Sequence, residues 1–315
     1  RNFCNKLWNA ARYVLMNTED NDCGQRGGDM ELSTSDRWIL SRLQQVTNGV
    51  HTAIKGYRFD HVAQNVYAFI WDEYCSWYLE LTKVVLNDDS ASEARQRGTR
   101  NTLVTVLDSI LRLLHPIMPF ITEEIWQKVK PLVGSDGVTI MNQPYPAKDE
   151  LAIDQDAIDE MQWAMEAIDG IRNIRGELNI KPSQRINILV QGASVAEQKR
   201  FENYQPYIRF LARVDSATFI DASEEAPESA IALVGNIKLL VPLAGLIDKD
   251  AEIARLKKDI GKTEKDLVKG KAKLSNEGFV AKAPPQVVDQ EKKRVAVLKT
   301  ALTNLRDQLK KIEAL

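Results

Sequence analysis

Two stretches near the C-terminus carry a seven-residue repeat that decides the fold of this region. Residues 253–274 read IARLKKDIGKTEKDLVKGKAKL, and residues 288–312 read VDQEKKRVAVLKTALTNLRDQLKKI. In both, mostly apolar residues recur alternately after 3 and 4 positions, which is typical of helices that pack together along a seam. An Asn-Glu-Gly sequence at 276–278 and a Pro-Pro pair at 284–285 interrupt the pattern. The sequence therefore predicts an antiparallel coiled-coil hairpin with helices of roughly 40 Å.

Charge separates this hairpin from the rest of the chain. The 315 residues carry 42 basic and 44 acidic side chains, for a net charge of −2. Residues 248–315 hold 17 basic and 11 acidic side chains, a net charge of +6, and the remainder carries −8. A basic arm on an acidic protein favours a polyanionic partner for the arm.

The positions flanking the seam place this positive charge on one side of the hairpin. With Ile253 at heptad position a, five of the six e positions in the two helices are basic, and Glu264 is the exception. The e positions of an antiparallel pair share one side, where these residues mostly lack acidic partners. We predict that this basic edge binds RNA, although a merely solvated lysine-rich surface has the same pattern. Its candidate residues are Lys257, Lys271, Lys292, Lys299 and Arg306.

The rest of the sequence is mainly helical. Residues 3 to about 132 have a helical apolar period that divides into five helices, and a sixth helix follows a connector rich in Gly and Pro. After about residue 182 the period changes toward that of strands. The predicted fold class is mainly α, with a helical bundle at 1–150, a small α+β connector at 151–247 and the coiled-coil hairpin at 248–315.

Several local signals in the bundle are specific enough to test. Ser33 and Asp36 have the spacing of a capping box that begins the second helix. The third helix, about 59–81, carries too many aromatic residues for one stripe, so it should lie centrally. The fifth helix should hold Glu123 and Glu124 in its first turn, where acidic residues suit the helix dipole.

The connector also contains testable signals. Residues 194–214 are helical in pattern, with an expected break at Pro206. Strands are predicted at 186–190, 217–220, 231–234 and 237–241. The last two are joined by Gly235 and Asn236, a pair that suits a β-hairpin.

Most classes of enzyme site and membrane segment are excluded. The sequence has no Walker loop, no G-x-G-x-x-G after a strand, no H-E-x-x-H and no G-x-S-x-G. Its three cysteines form no C-x-x-C pair, which disfavours a disulfide framework or a thiolate zinc site, so no metal site is expected. No apolar run reaches the roughly 18 residues of a membrane span. We therefore expect a soluble protein of the cytoplasm that has no membrane partner.

Several motifs, in order along the whole chain, resemble one family. RNFCNKLWNAARYV at 1–14 closely resembles the segment that opens the anticodon-binding helical domain of valyl-tRNA synthetases. The isoleucyl and leucyl enzymes share part of the bundle motifs, whereas the last of the motifs, in the arm, points to the bacterial valyl type. The further matching segments are DRWIL at 36–40, WYLELTK at 77–83, HPIMPFITE at 115–123, IRNIR at 171–175 and NEGFVAKAP at 276–284.

The resemblance implies a function that depends on parts absent from this sequence. The family attaches valine to its tRNA using ATP and Mg²⁺ in a Rossmann catalytic domain with HIGH and KMSKS signatures, and neither signature occurs here. Catalysis and editing should therefore lie N-terminal to Arg1. The resemblance implies that this chain binds the anticodon and elbow of valine tRNA, holds no cofactor itself and is inactive alone.

Anticodon reading requires polar groups that reach base edges and planar groups that stack on unpaired bases. Polar side chains of both kinds lie opposite or beside the apolar face of the first helix, and they are our candidates for anticodon contact. Trp8 and Trp38 either stack on bases or belong to the core. Arg172, Arg175 and Lys181 either contact phosphates or face the solvent. The anticodon candidates are Arg1, Asn2, Asn5, Lys6, Asn9 and Arg12.

Two other interpretations remain open on the sequence alone. The chain is either the RNA-binding part of a valyl-type synthetase, acting as a monomer on valine tRNA and not on DNA, or the same region of an isoleucyl or leucyl enzyme. Alternatively, it is a helical protein-interaction scaffold whose basic edge is incidental.

Overall fold

The computed structural model describes residues 1–244, 246, 249–276, 278 and 284–314. It confirms the predicted mainly helical fold, with a small sheet and a C-terminal helical pair. Asp248, the predicted start of the arm, and residues 277 and 279–283 of the arm motif lie outside the described residues. The helices of the N-terminal region are α1 (Asn2–Thr18), α2 (Thr34–Lys55), α3 (Phe59–Ala68), α4 (Leu79–Leu86), α5 (Glu93–Leu114), α6 (Pro119–Val129) and α7 (Gln155–Glu177).

The second helix begins at the predicted capping box. The Ser33 hydroxyl accepts a hydrogen bond from the Asp36 backbone N–H at 3.1 Å, and the Asp36 carboxylate accepts one from the Ser33 N–H at 2.9 Å. These reciprocal bonds satisfy backbone donors that a helix N-terminus leaves free. The prediction for this helix start is confirmed.

The aromatic-rich helix has an unusual backbone. Helices α3 and α4 are joined without a break by a π-helical segment, Phe69–Tyr78, in which the Ser76 hydroxyl donates to the Trp71 carbonyl at 2.7 Å. Tyr74 and Tyr78 are fully buried, as expected for a central helix. Phe59 and Tyr67, by contrast, are 63% and 46% exposed, so the expectation of a central position was wrong for the first part of this helix.

Helix α6, which corresponds to the fifth predicted helix, starts earlier than the sequence suggested. Helix α6 begins at Pro119, whose fixed φ and missing N–H suit the first helical position, so Glu123 and Glu124 are not in its first turn. The Glu123 carboxylate instead accepts hydrogen bonds from the Thr139 hydroxyl at 2.7 Å and the Ile140 N–H at 3.2 Å. It fastens the following loop rather than complementing the helix dipole.

The four strands form one mixed sheet in the order β2-β1-β4-β3. Strands β1 and β2 are parallel, and the β1–β4 and β3–β4 pairs are antiparallel. Gly235, with φ of +56°, and Asn236 join β3 to β4 as predicted. The remaining elements of this region are β1 (Ile186–Gln191), α8 (Val195–Leu211), β2 (Val214–Ile220), β3 (Ser229–Val234) and β4 (Ile237–Pro242).

Helix α8 continues through Pro206, where the sequence suggested a break. A proline inside a helix removes one backbone hydrogen bond and costs about 3 kcal/mol. Buried side chains on both sides of it, Phe201 and Tyr204 before and Tyr207 and Ile208 after, hold the helix on the body. Their burial outweighs the lost bond.

The bundle and the sheet share one core. Buried apolar side chains form a continuous cluster from Leu7 in α1 to Val241 in β4. Helix α7 packs on both α2 and β3 and so connects the two regions. The domain boundaries at 150 and 247 stay predictions, and residues 1–244 are called the body below.

The arm consists of α9 (Lys249–Ser275) and α10 (Pro285–Ala314), which pack on each other. Seam residues of both helices are buried, among them Leu256, Leu267, Val288, Val295 and Leu302. The paired helices of the prediction are confirmed, while supercoiling of the pair stays a prediction. Among the described residues, no helix is both long enough and apolar enough to cross a bilayer.

Candidate nucleic-acid interface

The first candidate surface is the outward face of α1. Leu7, Ala10 and Val14 fix the orientation of this helix because they are buried against the bundle. The opposite face carries exposed polar side chains that make no hydrogen bond or ion pair with any described residue. This polar stripe consists of Arg1, Asn2, Asn5, Asn9 and Arg12. Its amide and guanidinium groups are therefore available to a ligand.

Lys6, the remaining α1 candidate, has protein partners and is only partly exposed. Its ammonium group donates to the Ser76 hydroxyl at 3.0 Å and lies 4.3 Å from the centroid of the Trp71 ring. A cation over an aromatic face is held by the ring's quadrupole as well as by hydrogen bonds. Lys6 thus joins α1 to the π-helical segment rather than extending freely beside the polar stripe.

Three aromatic rings form a column next to Lys6. Phe3 stacks on Tyr67 with centroids 5.1 Å apart, and Tyr67 stacks on Trp71 at 5.6 Å with an interplanar angle of 9°. Tyr67 remains 46% exposed. This column was not predicted from the sequence, because the aromatic residues of this helix were expected in the core. The spacing of Tyr67 and Trp71, four residues apart, was the available signal for a shared face.

The two tryptophans proposed as stacking candidates differ in exposure. Trp38 is 3% exposed and belongs to the core, so its ring is not accessible to an RNA base. Trp8 is 49% exposed and lines a groove between α1 and α6 with Arg12 and Lys128. Of the two, Trp8 alone is accessible for stacking.

A buried carboxylate supports the helices behind this surface. Asp36 is fully buried, and its oxygens accept hydrogen bonds from the Tyr78 hydroxyl at 2.6 Å, the Thr99 hydroxyl at 2.9 Å and the capping-box residue Ser33. Burial raises the pKa of Asp36, while these hydrogen bonds oppose the rise. Asp36 thereby connects α2, α5 and the end of the π-helical segment.

The second candidate surface is the edge of the arm, and one ion pair fixes its register. The Arg306 guanidinium contacts the Glu264 carboxylate at 2.7 Å across the two helices. Both residues were predicted to occupy e positions on the same side of the hairpin, and this contact confirms that placement. It also pairs the positive charge of Arg306 with an acid.

The unpaired part of the basic edge lies toward the turn of the hairpin. Lys271 and Lys299 are one heptad further toward the turn than Glu264 and Arg306, so they occupy equivalent facing positions. Both are exposed, as is Lys292, and none of the three has a carboxylate within 4.0 Å among the described residues. Lys257, nearer the body, is also exposed. The lysines that have no carboxylate nearby among the described residues therefore lie toward the turn.

Of the basic residues predicted to contact phosphates at and just after the end of α7, some are packed against the protein and one is exposed. The Arg172 guanidinium lies 5.1 Å from the centroid of the Trp77 ring and donates to the Leu211 carbonyl at 3.2 Å. Arg175 is buried, and Lys181 is exposed. The structure therefore brings these residues to the contact between the bundle and the sheet.

Two protein-family models match the chain at these surfaces. Residues 36–190 match the anticodon-binding domain of tRNA ligases, and residues 248–313 match the tRNA-binding arm of valyl-tRNA synthetase. The chain belongs to the valyl-tRNA synthetase family. Its function is to bind tRNA, because both matched domains of such a synthetase are RNA-binding domains. The arm match distinguishes a valyl-type synthetase from the isoleucyl and leucyl alternatives.

The match to the anticodon-binding model begins at Asp36, after α1, and ends in β1. The polar stripe of this valyl-tRNA synthetase chain therefore lies outside the matched range, although α1 packs on α5 and on the π-helical segment within it. Among the described residues, no group of His, Cys, Asp or Glu side chains is arranged to hold a metal ion. The geometry offers hydrogen-bond donors, acceptors and positive charge for binding RNA.

Proposed function

We propose that this chain recognises valine tRNA through two separate surfaces, with the polar stripe of α1 reading the anticodon loop and the basic edge of the arm contacting the elbow. The observation that carries the proposal is the presence of two RNA-binding family matches in one chain that also carries an exposed polar stripe on α1 and an exposed group of lysines, Lys271, Lys292 and Lys299, on the arm. The alternative of a protein-interaction scaffold has no comparable support.

The polar stripe has the chemistry needed to distinguish bases. Each Asn amide both donates and accepts hydrogen bonds, so Asn5 and Asn9 suit base edges that present donors and acceptors side by side. Arg1 and Arg12 offer guanidinium planes for stacking or for phosphate contact. The ring of Trp8, on the same helix, is 49% exposed and is available to an unstacked base.

The arm contributes mainly through charge. Lys271, Lys292 and Lys299 form an exposed group without acidic partners among the described residues, and phosphate neutralisation by such groups releases condensed counterions. This term depends on salt and carries little sequence information. The arm thus fixes the position of the tRNA, and the stripe reads its identity.

The chemistry of valine attachment lies outside this chain. Valine activation, with ATP and Mg²⁺, is assigned to a catalytic domain of the same enzyme, and the chain by itself does not aminoacylate. Holding the tRNA at two separated points orients its acceptor end and makes the attack effectively intramolecular. We further propose that the chain acts as a monomer in the cytoplasm and selects RNA over DNA.

The test compares two RNAs and one pair of matched variants. The full 315-residue chain is titrated with valine tRNA and with a transcript altered only in its anticodon. We expect tighter binding of the unaltered tRNA, and we expect the variant Asn5→Ala/Asn9→Ala to lose most of this preference. Asn304→Ala, an exposed asparagine on the outer side of α10, is the matched control and should preserve the preference.

Equal affinity of the wild-type chain for the two RNAs would defeat the assignment of anticodon reading. A preference that survives in Asn5→Ala/Asn9→Ala would move that reading away from α1. Aminoacylation of tRNA by the chain alone, measured with valine and ATP, would contradict the proposed division of labour.

A further inference from the structure

Five basic residues lie on segments that come together at the end of α7, the loop before β1, the last turn of α8 and the turn that follows it. Backbone contacts hold these segments close: the Arg175 guanidinium donates to the Lys181 carbonyl at 2.8 Å, and the Arg185 guanidinium to the Val214 carbonyl at 3.3 Å. The Ile186 N–H also donates to the Arg213 carbonyl at 3.1 Å. We call Arg175, Lys181, Arg185, Arg209 and Arg213 the junction cluster.

The junction cluster has no acidic counterpart. None of its five side chains has a carboxylate oxygen within 4.0 Å among the described residues, whereas neighbouring Arg172 lies 3.5 Å from Asp169. This concentration of positive charge occurs in a body that is acidic overall. The grouping of these cations without nearby carboxylates therefore results from the fold at this place and not from the overall composition.

Arg175 is the most unusual member of the cluster. The residue is only 8% exposed, and its Nη1 atom is buried without a hydrogen-bond partner among the described residues. Burial, followed by the like charge of Arg213, lowers the pKa of the guanidinium. A buried cation without a counter-ion is unfavourable, and an anion bound at the exposed Arg213 would reduce the repulsion between the two guanidinium groups.

A groove next to these residues offers further donors. Arg185 and Arg209 line it together with Lys83, Asn87 and Gln205, between α4 and α8. One acid, Asp88, also lines the groove, but its carboxylate accepts hydrogen bonds from the Ser90 hydroxyl at 2.6 Å and the Ser90 N–H at 2.9 Å. Guanidinium, ammonium and amide donors are the groups that contact the phosphates and 2′-hydroxyls of RNA.

We propose that the junction cluster binds backbone phosphates of the tRNA, as a third contact distinct from the polar stripe and the basic edge. The inference rests on the proposed function, because the RNA must be the one that this chain already holds. Phosphate contact positions an RNA without reading its sequence. The cluster therefore contributes to affinity and not to anticodon discrimination.

The test removes two charges that have no structural task. Lys181 and Arg209 are exposed, and their side chains make no hydrogen bond with described residues. We expect Lys181→Gln/Arg209→Gln in the full chain to weaken binding of valine tRNA roughly tenfold at about 0.1 M salt. The slope of log affinity against log salt should become shallower by about 1.4 to 1.8, the value for two lost phosphate contacts.

The matched control is Lys199→Gln/Lys238→Gln, which removes two exposed lysines from elsewhere in the same region. It should leave affinity and salt slope close to those of the wild-type chain. An unchanged slope in Lys181→Gln/Arg209→Gln would overturn the inference, as would an equal loss in the control, because that would show only a general charge effect.

The result also separates this inference from the proposed function. Both variants should keep the wild-type preference for the unaltered anticodon. If the wild-type chain binds tRNA with anticodon preference while the cluster variant matches it in affinity, the inference fails and the function stands. If the wild-type chain shows no salt-dependent tRNA binding, both fail together.

Discussion

The body and the arm are each stabilised by a different kind of core. The body buries large rings such as Trp126, Tyr74 and Phe201 to 1% exposure or less, and the first two also donate hydrogen bonds to buried acceptors. The arm buries only a narrow seam, in which Leu267, Val295 and Leu302 remain 7–8% exposed. The body therefore holds its surface groups at fixed positions. The arm presents its charged groups on two long helices that share only a narrow core.

The largest expected effect follows from the packing of the body. Trp126 is fully buried, and its indole N–H donates to Asp108 at 2.9 Å. Trp126→Ala should lower the free energy of unfolding of the body by about 3–5 kcal/mol, because it leaves a cavity and removes a donor from a buried carboxylate. Urea unfolding combined with hydrogen exchange should show faster exchange in α5 and α6 and unchanged exchange in α9.

The reciprocal control is Leu267→Ala in the arm. It should cost about 2–3 kcal/mol and speed exchange in α9 and α10 alone. If each variant speeds exchange across the whole chain, the body and the arm form one cooperative unit and are not stabilised separately.

The second effect concerns the buried carboxylate of Asp36. Asp36→Asn should destabilise the body by about 1–3 kcal/mol, since a single amide oxygen replaces two oxygens that accept from Tyr78, Thr99 and Ser33. The effect should depend on pH. Because burial raises the pKa of Asp36 above the unfolded value of about 3.9, its contribution is complete below that value and declines as pH rises through the folded pKa.

The stability difference between wild type and Asp36→Asn should therefore be larger near pH 3 than at pH 7, as measured by urea unfolding across this range. A difference that grows with pH would show that the hydrogen bonds to the carboxylate outweigh its burial. In that case the pKa of Asp36 would lie below its ordinary value.

The smallest effect tests the charge of the arm. Glu264→Gln releases Arg306 from its ion pair, and an exposed pair of this kind contributes only about 0–1 kcal/mol to stability. We expect little change in unfolding but tighter tRNA binding and a salt slope steeper by about 1, because one more cation is available. Weaker binding would show that the ion pair positions Arg306 for the RNA rather than neutralising it.

Features encoded over a few residues were predicted well from the sequence. The capping box at Ser33 and Asp36, the hairpin at Gly235 and Asn236 and the seams of the arm each depend on local spacing, and the structure contains all of them. The expected break at Pro206 failed because burial of neighbouring side chains, which depends on the rest of the fold, compensates for the lost hydrogen bond.

The candidate surfaces were less predictable for the same reason. The separation of Lys6 from the polar stripe depends on its contacts with Ser76 and Trp71, about 70 residues away. The neutralisation of Arg306 depends on the register between two helices. The junction cluster combines residues from α7, the loop before β1, α8 and the turn before β2, and no sequence period links them.

The seam of the arm contains one position that bears on its reach. Gly270 has no side chain where a Cβ atom would lie 2.8 Å from Val295 and 3.4 Å from the Glu291 carboxylate, and the buried Glu291 oxygen is 3.6 Å from Arg294. Sliding one helix by a heptad would move this carboxylate seven positions along α9, away from the space at Gly270. Gly270 and Glu291 therefore favour one register of the two helices. That register determines how far along the arm, away from the body, the lysines near the turn lie.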